Sequence, residues 1–132
     1  MIDINKKDII DTLKKYNFDS TKYIVISSAA MVLLGIKDTT KDIDIAVSDD
    51  YYEYLLKNYN CKFERINEYG KKVYFIHDII NFSSTYYKNN RLIIEEIPIQ
   101  TANDILELKL FLKREKDYKD IELIKEYINE QE

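Results

Sequence analysis

The sequence predicts an α+β fold in which helices pack around one small mixed β-sheet. Three observations support this class. Apolar residues recur at helical spacing near both ends of the chain, and shorter stretches between them read as strands. The chain has 132 residues, of which 45% are hydrophobic, enough for one core. Two glycines, one proline and no internal repeat leave no candidate linker, so we expect a single domain over residues 1–132.

The first half of the chain alternates helical and extended patterns. Gly35 is expected to end a short apolar helix, because glycine is favoured just beyond a helix C-terminus. The segment 48–50 is expected to cap a later helix whose inward side carries Tyr51, Tyr54 and Leu55. The predicted elements are a helix over 6–16, a strand over 23–26, a helix over 29–34 and a strand over 42–48. The capped helix follows this strand and runs to about residue 58.

The second half begins with extended patterns. Strands are predicted over 61–66 and 72–83, joined as a hairpin through residues 67–70. A further strand is predicted over 91–97, and we expect it to stop at Pro98.

Two helices are predicted at the C-terminal end. Thr101 opens a capping sequence, which predicts a helix to about residue 114. The last helix is predicted over 118–129, with Asp117 and Asp120 as its caps. The positions expected to be buried in these helices are Ile105, Leu108, Leu112, Ile121, Ile124 and Ile128.

Charge and cysteine content exclude several classes of protein. Twenty basic and 24 acidic residues give a net charge of −4, which argues against a non-specific DNA-binding protein. One cysteine allows neither a disulfide framework nor a cysteine-based zinc site. No signal peptide or membrane-length apolar run is found, so we expect a cytoplasmic protein without a membrane partner.

The stretch from Tyr23 to Ser48 carries the candidate chemistry. A buried strand is followed by Ser27 and Ser28, a short helix and then the sequence Asp42-Ile43-Asp44. The period of two along a strand places both carboxylates on one face, about 6–7 Å apart. Such a pair beside a helix N-terminus suits a metal ion and a phosphate. Alternatively, the aspartates are the solvated side of a strand and the serines form a turn with an N-cap.

These residues resemble the signature of the nucleotidyltransferase fold, the superfamily of DNA polymerase beta. That signature has Gly, then Gly or Ser, then about a dozen residues before Asp-x-Asp. Here Ser27-Ser28 stand thirteen residues before Asp42-Ile43-Asp44. Segments 97–109 and 114–121 are similar to the C-terminal part of small AbiEii-like and minimal nucleotidyltransferases. The resemblance covers roughly residues 23–124.

The resemblance implies an Mg²⁺-dependent enzyme that transfers a nucleoside monophosphate from an NTP to a hydroxyl of a protein, an RNA or a small molecule. It implies that Asp42 and Asp44 bind Mg²⁺, and that Ser27, Ser28 and Lys109 contact phosphates. By composition alone, Lys109 would be an ordinary exposed lysine. AbiEii-like relatives act in toxin–antitoxin or phage-defence systems, which implies a cognate antitoxin as partner.

Two positions depart from the family pattern. Asn81 stands where the resemblance places a third carboxylate, and asparagine cannot act as a general base. Ser27 stands where glycine is usual. Other candidates for the third carboxylate are Asp78, Glu95 and Glu96.

These departures keep two further functions open. One is a catalytically degenerate protein that binds a nucleotide or a partner protein without turnover. The other is the nucleotide-binding half of a heteromeric enzyme, in which a partner subunit supplies the rest.

Overall fold

The computed structural model describes residues 3–85, 87–88 and 90–131, and these residues form five α-helices and seven β-strands. A 3-10 turn at Glu115–Asp117 precedes the last helix. In chain order the elements are α1 Lys6–Tyr16, β1 Tyr23–Val25, α2 Ser27–Leu33, β2 Ile43–Val47, α3 Asp49–Asn58, β3 Cys61–Ile66, β4 Lys72–Ile76, β5 Ile80–Ser83, β6 Arg91–Ile94, β7 Ile97–Gln100, α4 Ala102–Leu112 and α5 Tyr118–Gln131.

All seven strands belong to one mixed sheet with the order β3-β4-β5-β2-β1-β7-β6. The pairs β2–β5 and β1–β7 are parallel, and the other four neighbouring pairs are antiparallel. The predicted mixture of helices and a mixed sheet is therefore confirmed. Within the described residues, no helix combines the length and apolarity that crossing a membrane requires.

The two faces of the sheet have different surroundings. Side chains of one face, such as Ile43 and Ile45, join buried residues of all five helices in the main core. The opposite face carries Asp44 and is called the carboxylate face below; it also carries a small cluster of Ile24, Ile26 and Ala46, against which Tyr87 packs. This alternation follows from the period of two along each strand.

Several helix ends match the sequence prediction. The Ser48 hydroxyl accepts a hydrogen bond from the amide of Tyr51 and caps α3, as predicted. Thr101 accepts one from the amide of Asp104 at 3.2 Å and caps α4, also as predicted. The prediction that Tyr54 faces inward is wrong, since this side chain is 49% exposed and stacks on Tyr51.

The predicted strand over 72–83 is two strands. The chain turns between β4 and β5 at His77 and Asp78, whose φ angles are +52° and +58°. No glycine or proline marks this turn, so it carries no strong local sequence signal. The prediction of one continuous strand was wrong for that reason.

The predicted end of a strand at Pro98 is also wrong. The chain turns earlier, at Glu95 and Glu96, and Pro98 lies inside β7, where it pairs with Ile93 of β6. Proline cannot donate a ladder hydrogen bond, and the ladder between β7 and β1 is registered one residue later, at Ile99.

Candidate active site

A cleft of about 330 Å³ lies between the carboxylate face, the β3–β4 hairpin and the α4–α5 region. Its size is at the lower end of the range usual for small-molecule sites, roughly 300–1,000 Å³. Five of the six site residues predicted from the sequence border it: Ser27, Ser28, Asp44, Asn81 and Lys109.

Asp44 and Asn81 are direct neighbours on adjacent strands. The parallel register of β2 and β5 pairs these two residues, which places both side chains on the carboxylate face. Asn81 is only 4% exposed. The amide of Ile26 also donates a hydrogen bond to the carbonyl oxygen of Asp44 at 3.0 Å. The residues just after β1 are thereby fixed beside the carboxylate.

Asp42 lies one residue before β2 and completes the acidic pair. Burial, together with the nearby charge of Asp42, raises the pKa of Asp44 to about 7, against opposing effects of Arg65 and Lys109. Burial also raises the pKa of Asp42, whereas Arg65 and the Asn81 side chain lower it. Negative charge is thus unfavourable here, and a bound cation would relieve that cost.

The donor atoms at this site suit Mg²⁺. The two carboxylates, with the side-chain amide of Asn81 as a neutral neighbour of Asp44, offer oxygen ligands, which this ion prefers. Within the described residues, no group of three or more His, Cys, Asp or Glu side chains could hold a metal ion. Mg²⁺ usually takes one or two carboxylates and completes its coordination with water and substrate phosphates.

The Ser27–Ser28 turn, which forms the first two residues of α2, is strained at Ser27 and is held by one side chain. Ser27 has a φ of +58°, a left-handed conformation in which glycine is normally favoured. Its amide donates to Oε1 of Gln100 at 3.1 Å. The N-cap of α2 is Ile26, with no side-chain capping hydrogen bond. The helix therefore begins at the serines rather than after them, and the alternative that they cap the helix is also wrong.

Lys109 is buried rather than exposed. It is 6% exposed, and its Nζ lies 3.1 Å from Asp117 and 3.5 Å from Asp120. Arg114 reaches the second oxygen of Asp117 at 2.6 Å, and Lys37 lies 3.5 Å from Asp120. These five residues are called the lysine network below.

The lysine network is largely neutralised from within. Although burial raises the pKa of Asp117, hydrogen bonds from Arg114 and Lys109 outweigh it and hold the pKa below its usual range. The prediction that Asp117 only caps the last helix missed this role. Lys109 still borders the cleft and acts on Asp44 through its charge.

The other candidates for a third carboxylate lie elsewhere. Asp78 is in the turn between β4 and β5, and Glu95 and Glu96 form the turn between β6 and β7. Glu95 lies 3.7 Å from Lys14 of α1. None of the three is among the described residues that border the cleft.

Sequence reasoning missed several charged residues of the cleft. Arg65 and Glu68 come from the β3–β4 hairpin, and Lys116 from the segment between α4 and α5. A register shift between Phe63 and Arg65 places Arg65 opposite Val73. Neither composition nor periodicity marks such an irregularity, so no sequence signal identified Arg65. The spacing of Arg114 and Asp117, three residues apart, was the available signal for the lysine network.

Comparison of the chain with protein-family models, with curated proteins and with solved structures finds no significant match.

Proposed function

We propose that this protein has the nucleotidyltransferase fold and transfers a nucleoside monophosphate from an NTP to an acceptor hydroxyl, with Mg²⁺. The observation that carries the proposal is the meeting of Asp44 and Asn81 with the Ser27–Ser28 turn in one cleft. The proposed setting is the cytoplasm, in a toxin–antitoxin or phage-defence system, as the sequence resemblance implies.

Strand connectivity supports the proposal. The helix α2 joins β1 to its antiparallel neighbour β2, so the end of β1 and the start of β2 lie at the same edge of the sheet. The serines follow β1 and the aspartates open β2, so the two parts of the resemblance meet in space. A structural D-x-D strand start would not require a small-residue turn at this place.

The charged residues near the cleft form two groups, carboxylates that suit a metal ion and cations that suit phosphate. Asp42 and Asp44 would hold Mg²⁺, which when bound neutralises phosphate charge and polarises the phosphoryl group. Arg65 and Lys116 border the cleft outside the lysine network and offer positive charge to a triphosphate. Cations that border the same cleft as Asp44 suit a metal–triphosphate complex, which carries both signs of charge.

The reaction forms a bond between the acceptor oxygen and the α-phosphorus and breaks the bond from that phosphorus to the bridging oxygen of pyrophosphate. The acceptor hydroxyl loses its proton to a base. Asn81 cannot accept it. Asp42 and Asp44 are the carboxylates that adjoin Asn81, so the proton goes to one of them or to water, and we expect slow transfer for this reason.

Calorimetric titration with NTPs tests the proposal, with and without Mg²⁺, on the wild type and on an Asp42→Asn, Asp44→Asn double variant. We expect Mg²⁺-dependent binding in the wild type and at least about tenfold weaker binding in the variant, because the ion loses both carboxylates. The matched control is Asp49→Asn, Glu53→Gln on α3, which makes the same change in charge at exposed positions.

Transfer of label from α-labelled NTP to a candidate acceptor then separates turnover from binding. The proposal is wrong if no NTP binds to a wild type that is folded, or if the double variant binds as tightly as its control.

A binding function without turnover is the second candidate, and a specific observation favours it. The position beside Asp44 carries a neutral side chain, Asn81. Segment 110–118 also exposes three large apolar or aromatic side chains, Leu110, Phe111 and Tyr118, of which Phe111 is 70% exposed, as a surface for a partner subunit or an antitoxin would. Mg²⁺-dependent NTP binding without label transfer to any acceptor class would favour this function.

A further inference from the structure

Two energetically unfavourable features of the fold meet at one hydrogen bond. Ser27 adopts a left-handed φ of +58°, although it carries a side chain. Gln100 is 1% exposed, and its Nε2 atom has no hydrogen-bond partner among the described residues. The link between them is the hydrogen bond from the Ser27 amide to Oε1 of Gln100, at 3.1 Å.

Strand pairing explains how Gln100 reaches this position. The strand β7 runs parallel to β1 with Ile99 beside Val25, so Gln100 is the last residue of β7 and lies next to the chain as it leaves β1. A backbone amide requires an acceptor, so the oxygen of Gln100 must face Ser27. Its NH₂ group therefore points away and remains unpaired.

A methionine would fill nearly the same space without burying an unpaired amide group. The fold nevertheless places glutamine here, so the oxygen atom is the part of the side chain that the structure uses. What that oxygen does is hold the amide of Ser27, at the one position of the turn where glycine would need no such support.

We propose that Gln100 is a positioning residue of the cleft: its side-chain oxygen holds Ser27 in the left-handed conformation and so directs Ser28 and the start of α2 toward Asp44. The hydrogen bond and its effect on the turn stand on the structure alone. The consequence for ligand binding rests on the proposed function.

Hydrogen exchange of the Ser27 amide, followed by NMR, tests the first part. In Gln100→Met we expect this amide to exchange roughly tenfold faster relative to the β1 amides, because its acceptor is gone. The matched control is Ile97→Val, a buried change on the same strand, which should leave that ratio unaltered. An unchanged ratio in Gln100→Met overturns the proposal.

Rescue by glycine tests the second part. We expect Gln100→Met to weaken Mg²⁺–NTP binding about tenfold, and the added change Ser27→Gly to restore it to within about twofold, because glycine adopts the turn unaided. A purely structural role for Gln100 predicts no restoration by a change at Ser27. If Gln100→Met does not fold, the double variant should still fold and bind, and its failure to fold overturns the proposal.

The two measurements separate failure of this inference from failure of the proposed function. A wild type that binds no NTP contradicts the function, while the exchange ratio still decides the role of Gln100. A wild type that binds NTP, with Ser27 exchange unaffected in Gln100→Met, contradicts the inference alone.

Discussion

The carboxyl group of Asp44 lies in surroundings that favour its protonated form. Burial and the charge of Asp42 raise its pKa to about 7, well above the value of 3.8 for an unperturbed aspartate. Between these two values the folded state binds a proton that the unfolded state has released. The protein should therefore lose stability as pH rises through this range.

Replacement of Asp44 with asparagine should remove that dependence. Without Mg²⁺ we expect Asp44→Asn to be more stable than the wild type by about 1–3 kcal/mol at pH 8, a value reduced from the full pKa shift because the side chain is partly accessible to solvent. At pH 3, which lies below both pKa values, the aspartate is largely neutral in both states and the two proteins should differ little. Urea unfolding at pH 3, 6 and 8 measures this, and a constant difference across pH would contradict it.

Replacement of Asn81 with aspartate should make the thermal stability of the protein depend on Mg²⁺. Asn81→Asp places a third carboxylate beside Asp44, in a site where negative charge is already unfavourable. We expect a lower Tm than the wild type in EDTA, and a larger rise in Tm on adding Mg²⁺.

The control for this variant is Asn58→Asp, which adds the same charge at the exposed end of α3. Equal Mg²⁺ responses of the two variants would show that the ion does not bind at the carboxylate pair.

At the scale of elements, α4 combines two unlike surfaces. Ile105 packs in the main core, Lys109 is buried in the lysine network, and Leu110 and Phe111 face solvent. The network joins α4 to the start of α5 through Asp117 and Asp120, and to the loop after α2 through Lys37. Charge pairing thus fixes the position of α4 against the cleft, where apolar packing alone would fix only one side.

Breaking this network should destabilise the protein. Lys109→Met leaves Asp117 buried with Arg114 as its remaining partner, and we expect a loss of about 3 kcal/mol in the free energy of unfolding at pH 7. Adding Asp117→Asn should recover part of that loss, since it removes the uncompensated charge.

Lys119→Met, at an exposed position of α5, serves as control and should change stability by less than about 0.5 kcal/mol. If Lys109→Met behaves like this control, the network contributes no stability. Any loss of NTP binding in a Lys109 variant could then be attributed to phosphate contact.

For the whole molecule, periodicity and capping residues predicted the helices and most strands. The residues Ser48 and Thr101 marked their helix starts correctly, because a cap is a local interaction. The predictions failed at the turns 77–78 and 95–96, where non-glycine residues take positive φ angles. Such turns are imposed by strand pairing across the sheet, which a local pattern does not contain.

The candidate site, too, was predictable from the sequence only in part. The grouping of Asp44 with Ser27 and Ser28 was predictable, because all three residues belong to one strand–helix–strand unit. The pairing of Lys109 with Asp117, and the approach of Arg65, depend on a helix–helix contact and a strand irregularity. Only tertiary structure reveals these.

The scarcity of glycine has a practical consequence. Among the residues that the structure describes, seven that are not glycine have positive φ angles. They include the adjacent pair Glu95 and Glu96, which form a two-residue hairpin turn that does not border the cleft. Asparagine followed by glycine is the preferred sequence for two such residues.

We expect Glu95→Asn, Glu96→Gly to raise the free energy of unfolding by about 0.5–1 kcal/mol, measured by urea unfolding. An unchanged or lower value would show that this turn carries no strain. A variant stabilised in this way would tolerate destabilising substitutions, such as Asn81→Asp, and still fold.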